Sequence, residues 1–139
     1  MNCDNNDIWD KLYASAKSVR GARKVSPFIE AGAVAAAILT KSGNIYTGVC
    51  IDTPCSLGMC AERNAIANMI TNGESEVEKL VVVMSDGNVG MPCGACRELL
   101  MQLGGCSGEI QILTDYPARK TVRLKALIPS WWVEDKIRS

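Results

Sequence analysis

Three cysteines and one glutamate in this chain have the types and spacing of a site that activates water at a metal. They stand in Cys60-Ala61-Glu62 and in Pro92-Cys93-Gly94-Ala95-Cys96. The chain contains no histidine. A transition-metal site must therefore use thiolates, and proton transfer must fall to a carboxylate, Lys, Tyr or Cys. Zinc takes four protein ligands in structural sites and three plus water in catalytic ones. Cys60, Cys93 and Cys96 offer the second count. A hydrolytic site also needs a carboxylate that carries protons between water, substrate and leaving group, and Glu62 is placed for that.

The charge balance adds a requirement. Three thiolates and a divalent ion sum to about −1, an excess that raises the pKa of the bound water. Helix N-termini bearing the cysteines would offset it with partial positive charge and free N–H groups. Arg63, next to Glu62, could donate to the thiolates. Two other readings stay open. Cys93-x-x-Cys96 could be a redox pair, although no thioredoxin-like βαβ unit precedes it. A closed four-cysteine zinc site could draw its fourth thiolate from Cys50, Cys55, Cys3 or Cys106. Cys50 and Cys55 are the stronger of these, because their loop runs directly into Cys60.

The elements that must position these residues follow from hydrophobic spacing. Ile8, Leu12, Ala16 and Val19 predict a helix over 7–20, capped by Asp4 or Asn6 and ended at Gly21. Residues 31–40 and 45–50 flank a Lys-Ser-Gly-Asn turn and predict a β-hairpin. The alanines at 35–37 are poor strand formers and call for close packing there. Helical spacing returns over 60–70 through Ile66, Met69 and Ile70, and ends at Asn72-Gly73. The apolar run 79–84 predicts a central strand covered on both faces. Cys93 opens the next helix, with Leu99, Leu100 and Leu103 on its apolar face. Strands are expected over 109–114 and 121–124, and a helix-turn-helix tail over 124–137, broken at Pro129. The sum is α-β-β-α-β-α-β-β-α, an α/β sheet with helices on both faces. The two cysteine-bearing helix starts should converge at one sheet edge.

Composition bounds the functions available. The 139 residues suit one domain spanning 1–139. A hydrophobic content of 47% with 22% charged residues excludes disorder. Fifteen basic residues balance fifteen acidic ones. Nucleic-acid binding is thus disfavoured, and self-association is little opposed by charge. The polar start lacks a signal-peptide pattern, and the longest apolar run, 31–39, is too short to cross a bilayer. A cytoplasmic protein is expected, in which the seven cysteines act as thiols or metal ligands.

At C-A-E-R-x-A-I and P-C-G-A-C-R the chain resembles the small zinc-dependent cytidine deaminase family, which includes blasticidin S deaminases. The likeness runs from about residue 33 through the GNIYTGV hairpin and both cysteine motifs to LIPSWW. It implies a three-layer α/β/α sandwich with a mixed five-stranded sheet, and a homotetramer whose neighbours complete each site. It implies zinc on Cys60, Cys93 and Cys96, and Glu62 as the proton carrier, while metal-activated water attacks C4 of a 4-aminopyrimidine and ammonia leaves. The Ala61 N–H would hold the ring O2, the Met91 carbonyl would accept from the amino group, and Arg63 would stabilise the thiolates. The role would be pyrimidine salvage, with a small nucleoside or base as the partner and no membrane.

The substrate end departs from that pattern. The family's ribose-binding Asn-x-Glu reads Cys50-Ile51-Asp52 here. Aspartate keeps one hydroxyl contact, but cysteine cannot copy an amide. The Phe-Pro-Val-Gly segment is replaced by residues 32–35, which removes a ring-stacking aromatic, and the 50–60 loop is one residue short. The strand Val34-Ala35-Ala36-Ala37 is similar to that of blasticidin S deaminases. Cytidine or deoxycytidine is the first expectation and a blasticidin-type nucleoside the second. A non-catalytic zinc scaffold is the reading from another class. Trp131 and Trp132 are expected as core or interface packing, or as a cover over the site.

Overall fold

The computed structural model describes residues 2–133. Its sheet alternates small and branched apolar residues so that the central strands feed two separate cores. Strand β2 (Glu30–Thr40) turns Ala35, Ala37 and Leu39 to one face and Ala36 and Ile38 to the other. Strand β4 (Val77–Val83) divides in the same way, with Val81 and Val83 opposite Leu80 and Val82. Period-two alternation with both faces apolar requires a helical layer on each side. Helix α1 (Asn2–Val19) covers the first face with Trp9, Leu12 and Ala16, all fully buried. Helices α2 (Ala61–Thr71) and α3 (Gly94–Gln102) cover the second with Ala65, Ile66, Met69 and Leu100. Truncating a fully buried aromatic such as Trp9 to alanine would cost about 3–5 kcal/mol.

The sheet is mixed. Strand β3 (Ile45–Asp52) pairs antiparallel with β2 and forms one edge. Strand β4 lies on the other side of β2 and pairs parallel with β5 (Gln111–Asp115), the crossover between them carrying α3. Strand β6 (Lys120–Arg123) closes the far edge. A two-residue strand, β1 (Arg23–Lys24), pairs with Glu30 and Ala31 of β2, which makes six strands where five were expected. A six-stranded mixed sheet between helical layers is the expected three-layer sandwich with one short addition. Arg23 and Lys24 are both exposed, so no apolar pattern in the sequence announces β1.

Three boundaries differ from the sequence reading. Helix α1 begins at Asn2, so Asp4 and Asn6 lie within it instead of capping it. The tail is one helical turn, α4 (Leu124–Leu127), and residues 128–133 follow as turns instead of a second helix; residues 134–137 of the expected tail lie outside the described residues. Residues 107–109 form a 3-10 turn, so β5 starts at Gln111. Among the described residues, no helix is long and apolar enough to cross a membrane.

Two features fix the sheet where it meets the site. Gly32, at φ 89°, begins a bulge in β2 opposite the end of β3. A side chain there would overlap the Gly21 carbonyl and the Arg23 guanidinium, so the left-handed backbone and the crowding both demand glycine. Gly48 in β3 permits a close approach of α2. A Cβ at that position would overlap the Ala65 amide nitrogen and lie 2.6 Å from the Ala61 carbonyl oxygen.

Candidate metal centre and active site

Two helix starts bring the sulfur atoms together. Cys60 is the N-cap of α2 and Cys93 the N-cap of α3, both with extended backbone, and Cys96 lies in the first turn of α3. Neither cap residue bonds its own helix through its side chain, so both thiols point away toward a common centre. The Cys60 and Cys93 sulfurs are 3.4 Å apart, as are those of Cys93 and Cys96. All three lie within 4.8 Å of one another. A tetrahedral zinc with ordinary Zn–S bonds spaces its thiolates by roughly 3.8 Å, so the three side chains fit that ion with little adjustment.

Position along the fold sets the protonation of the three thiols. Burial raises Cys60, and the thiol of Cys93 adds to that, against a lowering contact from Arg63. For Cys93 burial is opposed and outweighed by the backbone N–H of Cys96 and by the neighbouring thiols, so its net shift is downward. Burial pushes Cys96 strongly up, and the charge of Glu62 pushes it further. Cys60 and Cys96 therefore hold their protons more tightly than a free thiol in the absence of metal, and loading a divalent ion must displace them. Arg63 Nη2 lies 3.9 Å from the Cys60 sulfur, and that contact raises the guanidinium's own value. The arginine thus sits where the charge balance required a cation.

Glu62 is 4% exposed and lies in the first turn of α2. Ala61 is fully buried beside it, with its N–H at the helix start. Met91 is half-buried, one residue before the buried Pro92. Arg97 holds this approach to Cys93, donating from Nε to the Pro92 carbonyl at 2.8 Å and from Nη1 to the Leu127 carbonyl at 3.2 Å. The sequence reading did not single out Arg97. Its place directly after Cys96 was visible, but the carbonyl it serves at Leu127 lies in another element.

Helix α2 is aimed by its contact with β3. Asn64 Nδ2 donates to the Val49 carbonyl at 2.6 Å, and Asn68 Nδ2 donates to the Thr47 carbonyl at 3.3 Å. Just before the helix, Ile51 and Met59 exchange backbone hydrogen bonds of 2.9 Å. Residues 47, 49 and 51 alternate along the outer margin of the edge strand, so the segment 59–68 is laced to that margin at three points. Gly48 lies among them and lets the helix backbone touch the strand.

The cysteines outside the triad are placed elsewhere. Cys50 is 9% exposed, and its sulfur accepts from the Val34 N–H at 3.3 Å within the β2 bulge. It also approaches the Asp52 carboxylate at 3.8 Å. Cys55 and Cys106 are exposed. None of these three joins the sulfur cluster, and the Cys3 side chain lies outside the described residues. Cys50, Asp52, Thr53, Cys55, Cys60 and Arg63 border a cavity of about 320 Å³ next to the triad. A larger cleft, about 980 Å³, lies away from the sulfurs between the end of α3 and the 128–133 segment. It holds none of the ligand-type groups, so the chemistry belongs to the smaller space. Trp131 borders the larger cleft half-buried and Trp132 is 61% exposed; both indoles donate to the Glu98 carboxylate. Neither belongs to the two cores.

Known proteins with this arrangement supply the comparison. A family model described as the cytidine and deoxycytidylate deaminase zinc-binding region matches residues 9–112. A cytidine deaminase from Mycobacterium tuberculosis strain H37Rv is 35% identical over 98 residues, 70% of each chain. A blasticidin-S deaminase from Bacillus cereus is 38% identical over 76 residues, 48% of this chain and 54% of that one. The crystal structure of cytidine deaminase from Mycobacterium leprae superposes with a TM-score of 0.71 at 29% identity, covering 87% of this chain and 97% of that one.

Proposed function

Because the chain belongs to the cytidine and deoxycytidylate deaminase family, we propose that it hydrolyses a 4-aminopyrimidine nucleoside or base, cytidine or deoxycytidine before others, and releases ammonia. It is a zinc-dependent hydrolase of the deaminase type. The observation that carries the reading is the buried Glu62 carboxylate two residues from one sulfur of a three-sulfur cluster. Zinc held by Cys60, Cys93 and Cys96 would supply a Lewis acid that makes water acidic enough to lose a proton near neutral pH.

The remaining roles fall to the chain's own groups. Glu62 takes one proton from the attacking water and gives it to ring nitrogen N3, then takes a second from the hydroxyl added at C4 and gives it to the departing amine. Its burial keeps bulk water from competing for that proton. The Ala61 N–H, free at the helix start, holds the ring O2, and the Met91 carbonyl accepts from the exocyclic amine. Arg63 keeps the Cys60 thiolate charged.

At the sugar end, Asp52 takes a hydroxyl while Cys50 shapes the wall, since the Cys50 sulfur is already engaged by Val34. One polar contact in place of two lowers the selectivity for ribose. A blasticidin-type nucleoside is therefore the second reading, favoured by the altered Cys50-Ile51-Asp52 and by the Bacillus cereus relative. The continuous sheet supports residues 1–139 as one domain. A homotetramer in which neighbours complete each site is the assembly that the family resemblance favours, and balanced charge does little to oppose self-association. Pyrimidine salvage in the cytoplasm, with no nucleic-acid or membrane partner, is the setting that fits a chain of balanced charge.

The test is ammonia release by zinc-loaded protein from cytosine, cytidine, deoxycytidine and blasticidin-type nucleosides, with Glu62→Gln alongside. Turnover of at least one substrate is expected in the native protein. The variant should keep zinc and fold while turnover falls by orders of magnitude. Equal turnover by both proteins would refute the role of Glu62.

A further inference from the structure

Among the described residues, one side chain, that of Arg97, bonds the Pro92 carbonyl at the chain's approach to Cys93. Pro92 is buried, has no N–H and lies just outside α3, where its carbonyl is beyond the helical ladder. A buried carbonyl without a donor is costly, and its orientation sets the plane of the peptide that leads into Cys93. Arg97 supplies the donor at 2.8 Å, and its backbone N–H also bonds the Cys93 carbonyl at 2.9 Å. One residue therefore grips two successive carbonyls on either side of the Cys93 Cα. Its second guanidinium arm holds the Leu127 carbonyl at 3.2 Å, at the end of α4.

We propose that Arg97 is a positioning residue for the reaction: it fixes the Met91-Pro92-Cys93 segment against α4, and so sets both the Cys93 sulfur and the Met91 carbonyl. The inference rests on the proposed reading of the site for its catalytic half only, since the sulfur's position bears on metal retention without any substrate. The planar fork matters. A lysine at 97 carries the same charge on one point and cannot hold two carbonyls in fixed directions. The neighbouring Glu98, which accepts from both indoles of the 131–132 segment at 3.1 and 3.2 Å, ties the same helix to the same tail by independent bonds. Loss of Arg97 therefore frees the Cys93 approach while the tail stays attached.

The experiment compares native protein with Arg97→Lys and Arg97→Ala, all zinc-loaded. Zinc release to a chromogenic chelator is measured first, then kcat and KM for cytidine per bound zinc. Both variants should release zinc roughly tenfold to hundredfold faster and lose kcat by a similar factor, the range seen when groups supporting metal ligands are removed. KM should change by less than about threefold, because the sugar and ring contacts on α2 and β3 stay in place. Added guanidinium ion at low millimolar concentration should slow zinc release from Arg97→Ala. A residue serving only overall stability would give no such rescue. Native rates of zinc release in both variants, or no effect of guanidinium on a folded Arg97→Ala protein, would overturn the proposal. If Arg97→Ala fails to fold, the release rate of Arg97→Lys decides. Absence of cytidine turnover in the native protein would count against the substrate reading and leave the zinc measurements to judge Arg97.

Discussion

Gly48→Ala adds a single methyl group 14 residues before Glu62, yet it should act directly on the active site. Gly48 is not among the positive-φ residues, so alanine meets no backbone penalty of its own. The whole effect is steric. The new Cβ would lie 2.6 Å from the Ala61 carbonyl oxygen and 2.7 Å from the Asn64 carbonyl carbon, and closer still to the Ala65 nitrogen. Ordinary contact begins at 3.4 Å, and all three obstacles are backbone, which cannot rotate away. Helix α2 must therefore lift from β3 by about 1 Å, carrying the Cys60 sulfur and the Glu62 carboxylate with it. Overpacking of this kind costs about 1–3 kcal/mol of stability. Misplacement of a catalytic group by about 1 Å costs on the order of a hundredfold in rate. Thermal unfolding, zinc content and kcat/KM for cytidine should be measured on the same preparation. Gly21→Ala is the control, because a Cβ there has no atom within 4 Å and its φ is ordinary. Gly48→Ala should remain folded and lose roughly hundredfold in kcat/KM, while Gly21→Ala stays at the native value. A Gly48→Ala protein within about threefold of native would show that the contact with β3 does not set the position of Glu62.

Two further outcomes can be checked with less effort. Cys55→Ser should leave zinc stoichiometry and release unchanged, because the exposed Cys55 stands outside the sulfur cluster; loss of zinc would establish a closed four-cysteine site and remove the open coordination position. Glu74 gives a pH signature: its bond from the Tyr46 hydroxyl, with others from Thr40 and Asn44, holds its carboxyl down at about 2 against an ordinary 4.5. A depressed carboxylate stabilises the fold above its unfolded value and loses that effect as pH falls. The difference in Tm between native protein and Glu74→Gln should thus be constant above about pH 5 and shrink between about pH 4.5 and 2; a difference that grows on acidification would contradict this.

The Cys93–Cys96 half of the sulfur cluster was legible because its determinants are local: a cysteine at a helix cap and another one turn on read directly from spacing. Cys60 joins them from a second helix start 33 residues away, a meeting expected from convergence of the two helix starts at one sheet edge. The same holds for the β2–β3 hairpin and for β4, whose apolar runs leave little choice of partner. Strand β1 escaped because two exposed basic residues carry no period, and their pairing with Ala31 depends on the Gly32 bulge. The tail was misjudged because apolar residues at 127–133 suggested a helix, whereas the indoles are drawn to Glu98 on a distant element. Arg97 was missed for a related reason: its role is defined by the Leu127 carbonyl, 30 residues away in the chain. Cys50 shows the limit most clearly. Its identity suggested a substrate contact or a fourth ligand, and only the register across the bulge reveals the Val34 N–H that it accepts.

The lacing of α2 to the margin of β3 has a consequence for how copies of this chain can meet. Edge strands ordinarily offer a free row of carbonyls and amides on which another chain can template itself, the first step toward fibrous aggregates. Here the outward carbonyls of Thr47 and Val49 are taken by Asn68 and Asn64, and Ile51 is paired through both its backbone groups with Met59. The opposite margin, β6, bears Lys120 and Arg123, charges that resist stacking. Concentrated protein should therefore associate through its helical faces and remain dispersible, and the asparagines that aim the metal-binding helix also serve as its guard against amyloid-like growth.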